Sequence, residues 1–223
     1  MTKCHGFIFG EQNEDILQIT SPKIMTLFFS SFRAEQNNNF VAFSNDEVPF
    51  EIPDYWRWVR FCGIVSYNMG KTPPRAESEW WINDFPWVSI ADMVENGHII
   101  STKEGVSQKA ISEKFSRISP KGTLIMSFKL TVGRVSILDI DAVHNEAIIS
   151  IYPYADCKNI FRNYLFHILP YVANTGDTKN AIKGKTLNSN SIDNLMIPLP
   201  PLEEQNRIIA KLEQILPLIA NLS

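Results

Sequence analysis

Two tripeptides, Gly70–Lys71–Thr72 and Gly184–Lys185–Thr186, come nearest in this sequence to a known reactive spacing. A loop that wraps nucleotide phosphates needs a further glycine five positions before the GK glycine, so that successive backbone N–H groups face the anion. Val65 and Lys179 stand there instead, so neither loop is read as a nucleotide site. "DFPW" at Asp84 to Trp87 lacks the second proline of an amino-methyltransferase motif, and no glycine-rich cofactor loop follows a strand. Asp156–Cys157–Lys158 offers a nuclease-like acid and lysine, but no well-placed second acid, and a solvated turn is the plainer reading. His5, His98, His144 and His167 show neither HxxxH nor HExxH spacing, and no G-x-S-x-G elbow occurs. Cys4, Cys62 and Cys157 are odd in number and far apart, which fits a reducing compartment better than a disulfide framework or a zinc site. The residue types point away from catalysis, and no cofactor or metal is expected in this chain.

Charge is more informative when read locally. The formal net charge is −3, so a polyanion must be met by a patch rather than by the bulk field. From Lys103 to Arg134 there are seven basic residues against two acidic ones; from Lys158 to Lys185 there are five against Asp177. Glu77 to Glu95 holds five acids and no base. Basic clusters interleaved with Ser, Asn and aromatic residues suit phosphate neutralisation and groove contacts. Solvated faces that cluster only in one dimension are the competing explanation.

The elements that must position these residues follow from composition and period. Residues 1–48 carry three basic and six acidic residues and the run "EQNNNF", and are read as a weakly structured leader. Their most apolar run, Ile24 to Phe32, is nine residues long, too short to span a bilayer, and acids rather than a basic segment precede it. A cytoplasmic protein without a membrane segment is expected. From Pro49, "PFEIPDYWRWVRF" reads as the start of a folded core, and "YNMGKTPPRAESEWW" as a loop. "GTLIMSFKL", "GRVSIL" and "EAIISIYP" read as strands, with Gly122 and Gly133 at turns. "NIFRNYLFHILPYV" has helical spacing and is expected to end near Pro170. The fold class is α+β: a recognition-sized domain over 49–199 followed by a helix over 200–223.

That last helix is strongly patterned. Pro200 and Pro201 can occupy its first turn, and Glu203 and Glu204 suit the positive end of its dipole. Ile208, Leu212, Ile215, Ile219 and Leu222 form a heptad seam of about two repeats, interrupted by Pro217. No second heptad segment is evident, so the seam is expected to pack on another chain.

"PFEIPDYWRWVRF", "GKTPPR…WW", "FPWVSIADM", "GTLIMSFKLTVGRVSIL", "HNEAIISIYP" and "IKGKTLNSNSIDNLMIPLPPLEEQNRIIAKLEQI", in that order, resemble the specificity subunits of type I restriction–modification enzymes. The resemblance runs from Val48 to Ile219, and the "IPLPPLEEQ" junction into a helix is its most specific part. It implies a target-recognition domain for double-stranded DNA and part of a helical spacer that docks modification (methyltransferase) subunits, and through them the restriction subunit. It also implies that S-adenosylmethionine, ATP and Mg²⁺ belong to those partner subunits. One recognition domain and one short helix make this chain resemble half of such a subunit, so a second copy of itself is a further candidate partner. The positions matching the family's basic and polar loops are Lys129, Thr131 and Arg134, then Asn145 and Glu146, then Lys183, Lys185 and Asn188. Thr72, Arg75 and Trp87 are weaker matches, since Trp80, Trp81 and Trp87 are more often core. Ile208, Leu212, Ile215 and Ile219 would face a partner. The alternative is an interaction module that binds the modification subunit without reading DNA.

Overall fold

The computed structural model describes residues 48–175 and 187–220. Apart from Val48, the expected leader lies outside them. The three expected strands form as β6 (Leu124–Ser127), β7 (Val135–Leu138) and β9 (Ile148–Pro153). With β2 (Val65–Met69) and β4 (Gly97–Ile99) they make a five-stranded sheet ordered β2–β9–β6–β7–β4. β6 runs antiparallel to both neighbours, with Leu124 opposite Ile151 on one side and Ile137 on the other. These strands read as unbroken apolar runs because both faces of the sheet are covered. Leu124, Met126, Ile149 and Ile151 join the larger core, while Ile125, Leu138 and Ile148 join a second one with Val88, Met93 and Ile99. Gly122 and Gly133 hold positive φ of 88° and 82°, the backbone that turns at those positions require.

A smaller sheet, ordered β5–β3–β8, joins β3 (Phe85–Val88), β5 (Glu104–Val106) and β8 (Val143–His144). The short helix α1 (Gln108–Lys114) is capped by Ser107, whose Oγ accepts from Ala110 N at 3.1 Å. It covers a third core built on Trp80, Trp87, Val106 and Val143. Trp80 and Trp87 are therefore core residues, and Trp87 is closed to a nucleic acid.

Helix α2 (Ile160–Thr175) does not end at Pro170 as the sequence predicts but runs through it. An interior proline costs about 3 kcal/mol through its missing hydrogen bond and ring clash. Leu169, Val172 and Ala173 are all buried around it, and their burial, roughly 1.5–3 kcal/mol for a large apolar side chain, offsets that cost. Asn174 Nδ2 also donates to the Pro170 carbonyl at 2.8 Å.

The chain closes through a two-stranded pair that periodicity does not reveal. β1 (Arg57–Arg60) lies antiparallel to β10 (Met196–Leu199), Trp58 opposite Pro198, after the short helix α3 (Ser189–Asp193). Helix α4 (Leu202–Ala220) follows at once. Pro200 and Pro201 stand just ahead of it; the Pro201 carbonyl accepts from Gln205 N at 3.0 Å, and Pro200 from Gln205 Nε2 at 2.9 Å. Residues from Pro49 onward form one compact unit. α4 packs on α2, with Ile209 buried and Ile208 against the main core. The expectation that the seam has no mate within the chain is thus corrected for its first turns. The mate is α2, whose apolar spacing is that of a one-sided buried helix rather than a heptad. Farther out, Leu212 and Ile215 are half-buried, whereas Leu216, Leu218 and Ile219 are exposed, Ile219 at 56%. No helix among the described residues is long and apolar enough to cross a membrane.

This gradient predicts unequal losses along one helix. Ile209→Ala is expected to lower stability by about 2–4 kcal/mol in urea unfolding, as for buried aliphatic truncations. Ile219→Ala is expected to change it by no more than about 0.5 kcal/mol. Equal losses would mean that the distal seam is packed within this chain after all.

Candidate nucleic-acid interface

Four segments distant in sequence meet at one end of the five-stranded sheet. The first leaves β2. Gly70 N donates to the Ile148 carbonyl at 3.1 Å and Lys71 N to the His144 carbonyl at 2.8 Å. A Cβ on Gly70 would collide with the carbonyl oxygens of His144 and Asn145, so only glycine lets the two backbones approach this closely. The Trp87 indole fixes the next residue, donating from Nε1 to the Lys71 carbonyl at 3.0 Å. Lys71 is exposed and makes no ion pair among the described residues. Thr72 Oγ1 donates to the Glu146 carboxylate.

The second segment joins β8 to β9. Asn145 Oδ1 accepts from Ala147 N at 3.0 Å, closing the turn that exposes Glu146. The third is the hairpin between β6 and β7. Phe128 N donates to the Ala147 carbonyl and Leu187 N to the Phe128 carbonyl, both at 2.9 Å, and this ties in the fourth segment, Leu187–Asn188. Lys129, Leu130 and Thr131 form the hairpin tip. The buried hydroxyl of Ser127 holds it by donating to the Thr131 carbonyl and lies 3.1 Å from Thr131 Oγ1. Thr131 N donates to the Lys129 carbonyl at 2.8 Å across Leu130, whose φ is +66°. That is a three-residue γ-turn, in a backbone region that costs an L side chain roughly 1–2 kcal/mol. At the base of the hairpin, Arg134 lines a cleft of about 180 Å³ with Glu95, Thr131 and Asn174.

Of the residues nominated by sequence, Thr72, Lys129, Thr131, Asn145, Glu146 and Asn188 are therefore brought to one end of the sheet, with Arg134 at its margin. Lys183 and Lys185 lie outside the described residues. Besides Thr72, Glu146 and Thr131, three more nominees are already engaged within the chain. Asn188 Oδ1 caps α3, accepting from Ser191 N at 2.9 Å and Ser191 Oγ at 3.2 Å. Asn145 Oδ1 serves its own turn, which leaves its amide N–H groups as donors. Arg75 forks onto Glu104 at 2.6 and 3.1 Å and stacks 3.7 Å from the Trp81 ring centroid. A phosphate or guanine reaching Arg75 must displace Glu104.

The one-dimensional basic run also divides in space. Lys109 pairs with Glu79 at 2.8 Å, Lys114 sits over Trp80, and Arg117 lies over Tyr152. Lys129 and Arg134 alone of that run belong to the hairpin. Among the described residues no three His, Cys, Asp or Glu side chains gather as metal ligands would.

A model of the type I restriction–modification DNA specificity domain matches residues 53–222. The chain belongs to this family. It is similar to the specificity subunit of the type I restriction enzyme MjaIX from Methanocaldococcus jannaschii, with 28% identity over 87% of this chain and 44% of that protein. It is also similar to the EcoR124I/EcoR124II specificity subunit of Escherichia coli, with 26% identity over 70% of this chain and 40% of that one. Two solved structures share the fold. One comes from work on complex assembly and conformational transition of the type I restriction–modification system, at TM-score 0.61 and 22% identity, covering 90% of this chain and 48% of that one. The other is the HsdS subunit of Thermoanaerobacter tengcongensis, at 0.57 and 22%, covering 90% and 45%. The chain thus spans less than half the length of these relatives.

Within this specificity domain the structure adds Lys71 to the candidates, a residue that sequence reasoning does not nominate because it weighs GKT only as a phosphate loop. His144, which no motif singles out, is buried beneath this sheet end, 2% exposed. Burial pushes its imidazole down to about 4, against weaker support for the charged form from the Asn145 and Ile148 backbone.

The folded-state value lies below the unfolded one, so protonation favours the unfolded chain. His144's contribution is complete above about pH 6.5 and is lost as pH falls toward 4, by roughly 3 kcal/mol in all. His167 is shifted down by burial as well, so the comparison must be differential. Urea melts from pH 7.5 to 4.5 should lose less stability for His144→Gln than for the wild type. Parallel curves would remove His144 as the titrating group.

Proposed function

We propose that this specificity domain reads one half of a split double-stranded DNA sequence through the sheet end formed by Gly70–Thr72, Lys129–Arg134, Asn145–Glu146 and Leu187–Asn188. On this reading Lys183 and Lys185, immediately before the fourth segment, add further cations. The observation that carries the proposal is the convergence of four remote segments at one sheet end, in a chain of the DNA specificity family. Lys71, Lys129 and Arg134 meet phosphates there, while Thr131, Asn145 and Glu146 have the chemistry to touch base edges. The outer turns of α4, from the half-buried Leu212 and Ile215 to the exposed Ile219, dock a modification subunit and through it the restriction subunit. The domain positions those enzymes and catalyses nothing itself; S-adenosylmethionine, ATP and Mg²⁺ act in the partners. Relatives named as specificity subunits of type I enzymes support this division of labour.

Phosphate contacts have a measurable signature. Each one lost should lower the slope of log K against log salt by about 0.9. Lys129→Ala with Arg134→Ala is therefore expected to lower that slope by about two and to weaken binding across all sequences, with an unchanged melting temperature. The readout is fluorescence anisotropy of a labelled random-sequence duplex between low and moderate salt. Unchanged binding by the folded double variant would remove both residues from the interface. If the wild type also showed no salt dependence while still binding the modification subunit, the DNA-independent interaction module would be the better reading.

Docking has its own test. Ile215→Asp with Ile219→Asp should leave the domain folded, because neither side chain is deeply buried, yet abolish cosedimentation with the modification subunit by placing carboxylates in an apolar contact. Normal assembly would exclude the outer turns of α4 as the docking element.

A further inference from the structure

Leu130 is held at a place where neither the backbone nor the core calls for leucine. It is 74% exposed, so its isobutyl group gains little from the fold. Its φ of +66° belongs to the region where glycine or asparagine is at ease and a bulky side chain is strained. The described residues include three other non-glycine positions with positive φ, Asn96, Lys158 and Asn159, and none is apolar. Other exposed apolar residues, such as Ile100 and Leu218, sit on unstrained backbone. Leu130 combines strain with exposure, and something outside the described fold must account for it.

The surroundings indicate what that is. Lys129 and Thr131 flank Leu130 in the γ-turn, and Lys71, Asn145 and Asn188 lie on segments tied to the same sheet end. A single apolar tip among cations and hydrogen-bond donors matches a nucleic-acid groove, with phosphates at its walls and thymine methyl groups on its floor. A protein partner would call for a wider apolar patch, whereas the residue beyond Thr131, Val132, is itself buried. The tip is also rigid. Ser127 anchors Thr131 from below, and Gly133 N closes the hairpin on the Ser127 carbonyl at 2.9 Å. We propose that Leu130 is a base-reading residue, making an apolar contact with a thymine methyl in the major groove. This rests on the DNA-reading assignment made above.

The experiment uses the whole chain together with a type I modification subunit and a pool of random-sequence duplexes. Selection by the wild type yields a preferred duplex, and each thymine in it is then replaced singly by uracil, which removes only the methyl group. Wild-type affinity should fall about three- to tenfold at one such position, the scale of one buried methyl group. Leu130→Gly should lose a similar factor on the unmodified duplex and be insensitive to uracil at that position. Its salt slope should be unchanged, because no phosphate contact is removed. Its melting temperature should be equal or higher, since glycine relieves the backbone; Leu130→Asn serves as the second variant on the same grounds.

Wild-type affinity in either variant, or a wild type insensitive to uracil at every thymine, would overturn the inference. So would a variant that keeps DNA affinity but loses the modification subunit, which would assign the tip to a protein contact. A wild type with neither sequence preference nor salt dependence would overturn the DNA-reading assignment itself, and that result is visible before any Leu130 variant is made.

Discussion

The backbone of Gly70 touches the backbone of His144 and Asn145 more closely than any side chain would allow, and the sheet end that carries the candidate site is built around that contact. It brings the loop leaving the edge strand β2 over the turn between β8 and β9, so that Lys71 and Thr72 arrive beside Asn145 and Glu146. The same turn receives the Phe128 N–H, which anchors the β6–β7 hairpin, and Phe128 in turn receives Leu187. The segments are thereby tied to one another by main-chain hydrogen bonds, with Asn145 Oδ1 and Ser127 Oγ bracing the two turns. Side chains at the tips can then vary without moving the scaffold, which suits the DNA-reading role proposed for this face.

Much of this scaffold was legible because its determinants are local. The strands around Ile125, Ile137 and Ile149 announce themselves as short β-branched runs, and Gly122 and Gly133 mark turns whose φ only glycine adopts easily. What escaped was long-range. Pro170 argues locally for a helix end, yet Leu169, Val172 and Ala173 are buried by elements far away in sequence, and that burial prevails. The pairing of β1 with β10 joins residues about 140 positions apart by register alone. α2 was not recognised as the mate of α4 because its apolar spacing carries no heptad. At the candidate site, residue type nominated loops that the fold brings to one sheet end, but the occupation of particular atoms depends on neighbours. Asn188 caps a helix and Arg75 grips Glu104, and neither fact is written in their own segments.

Net charge says little about such a face. Of the acids along Glu77 to Glu95 and just beyond, Glu79 is matched by Lys109 and Glu104 by Arg75, whereas Glu95 lines the cleft that holds Thr131 and Arg134. Among the described residues, Lys71, Lys129 and Arg134 make no ion pair. Glu146 is exposed on the turn beside Lys71, and Thr72 holds it. A carboxylate fixed there disfavours phosphate at that point and suits an amino group on a base edge, so it sharpens selection rather than raising affinity.

Helix α4 links this face to whatever lies beyond the domain. Its root is fixed twice, by the pairing of β10 with β1 and by Ile209 against α2, so its direction is set by the same core that sets the sheet. At about 1.5 Å per residue, the ten residues from Ile209 to Ile219 carry the exposed apolar turns roughly 15 Å outward. Pro217 removes a backbone hydrogen bond where no packing among the described residues compensates for it, so the last turn is the least stable part of the helix. Any body that grips those turns must supply the missing contact, and it inherits its orientation relative to the recognition face from Ile209 and β10. On the proposed assignments, the distance between reading and docking is thus fixed by packing inside this chain, and a partner has only the last turn left to adjust.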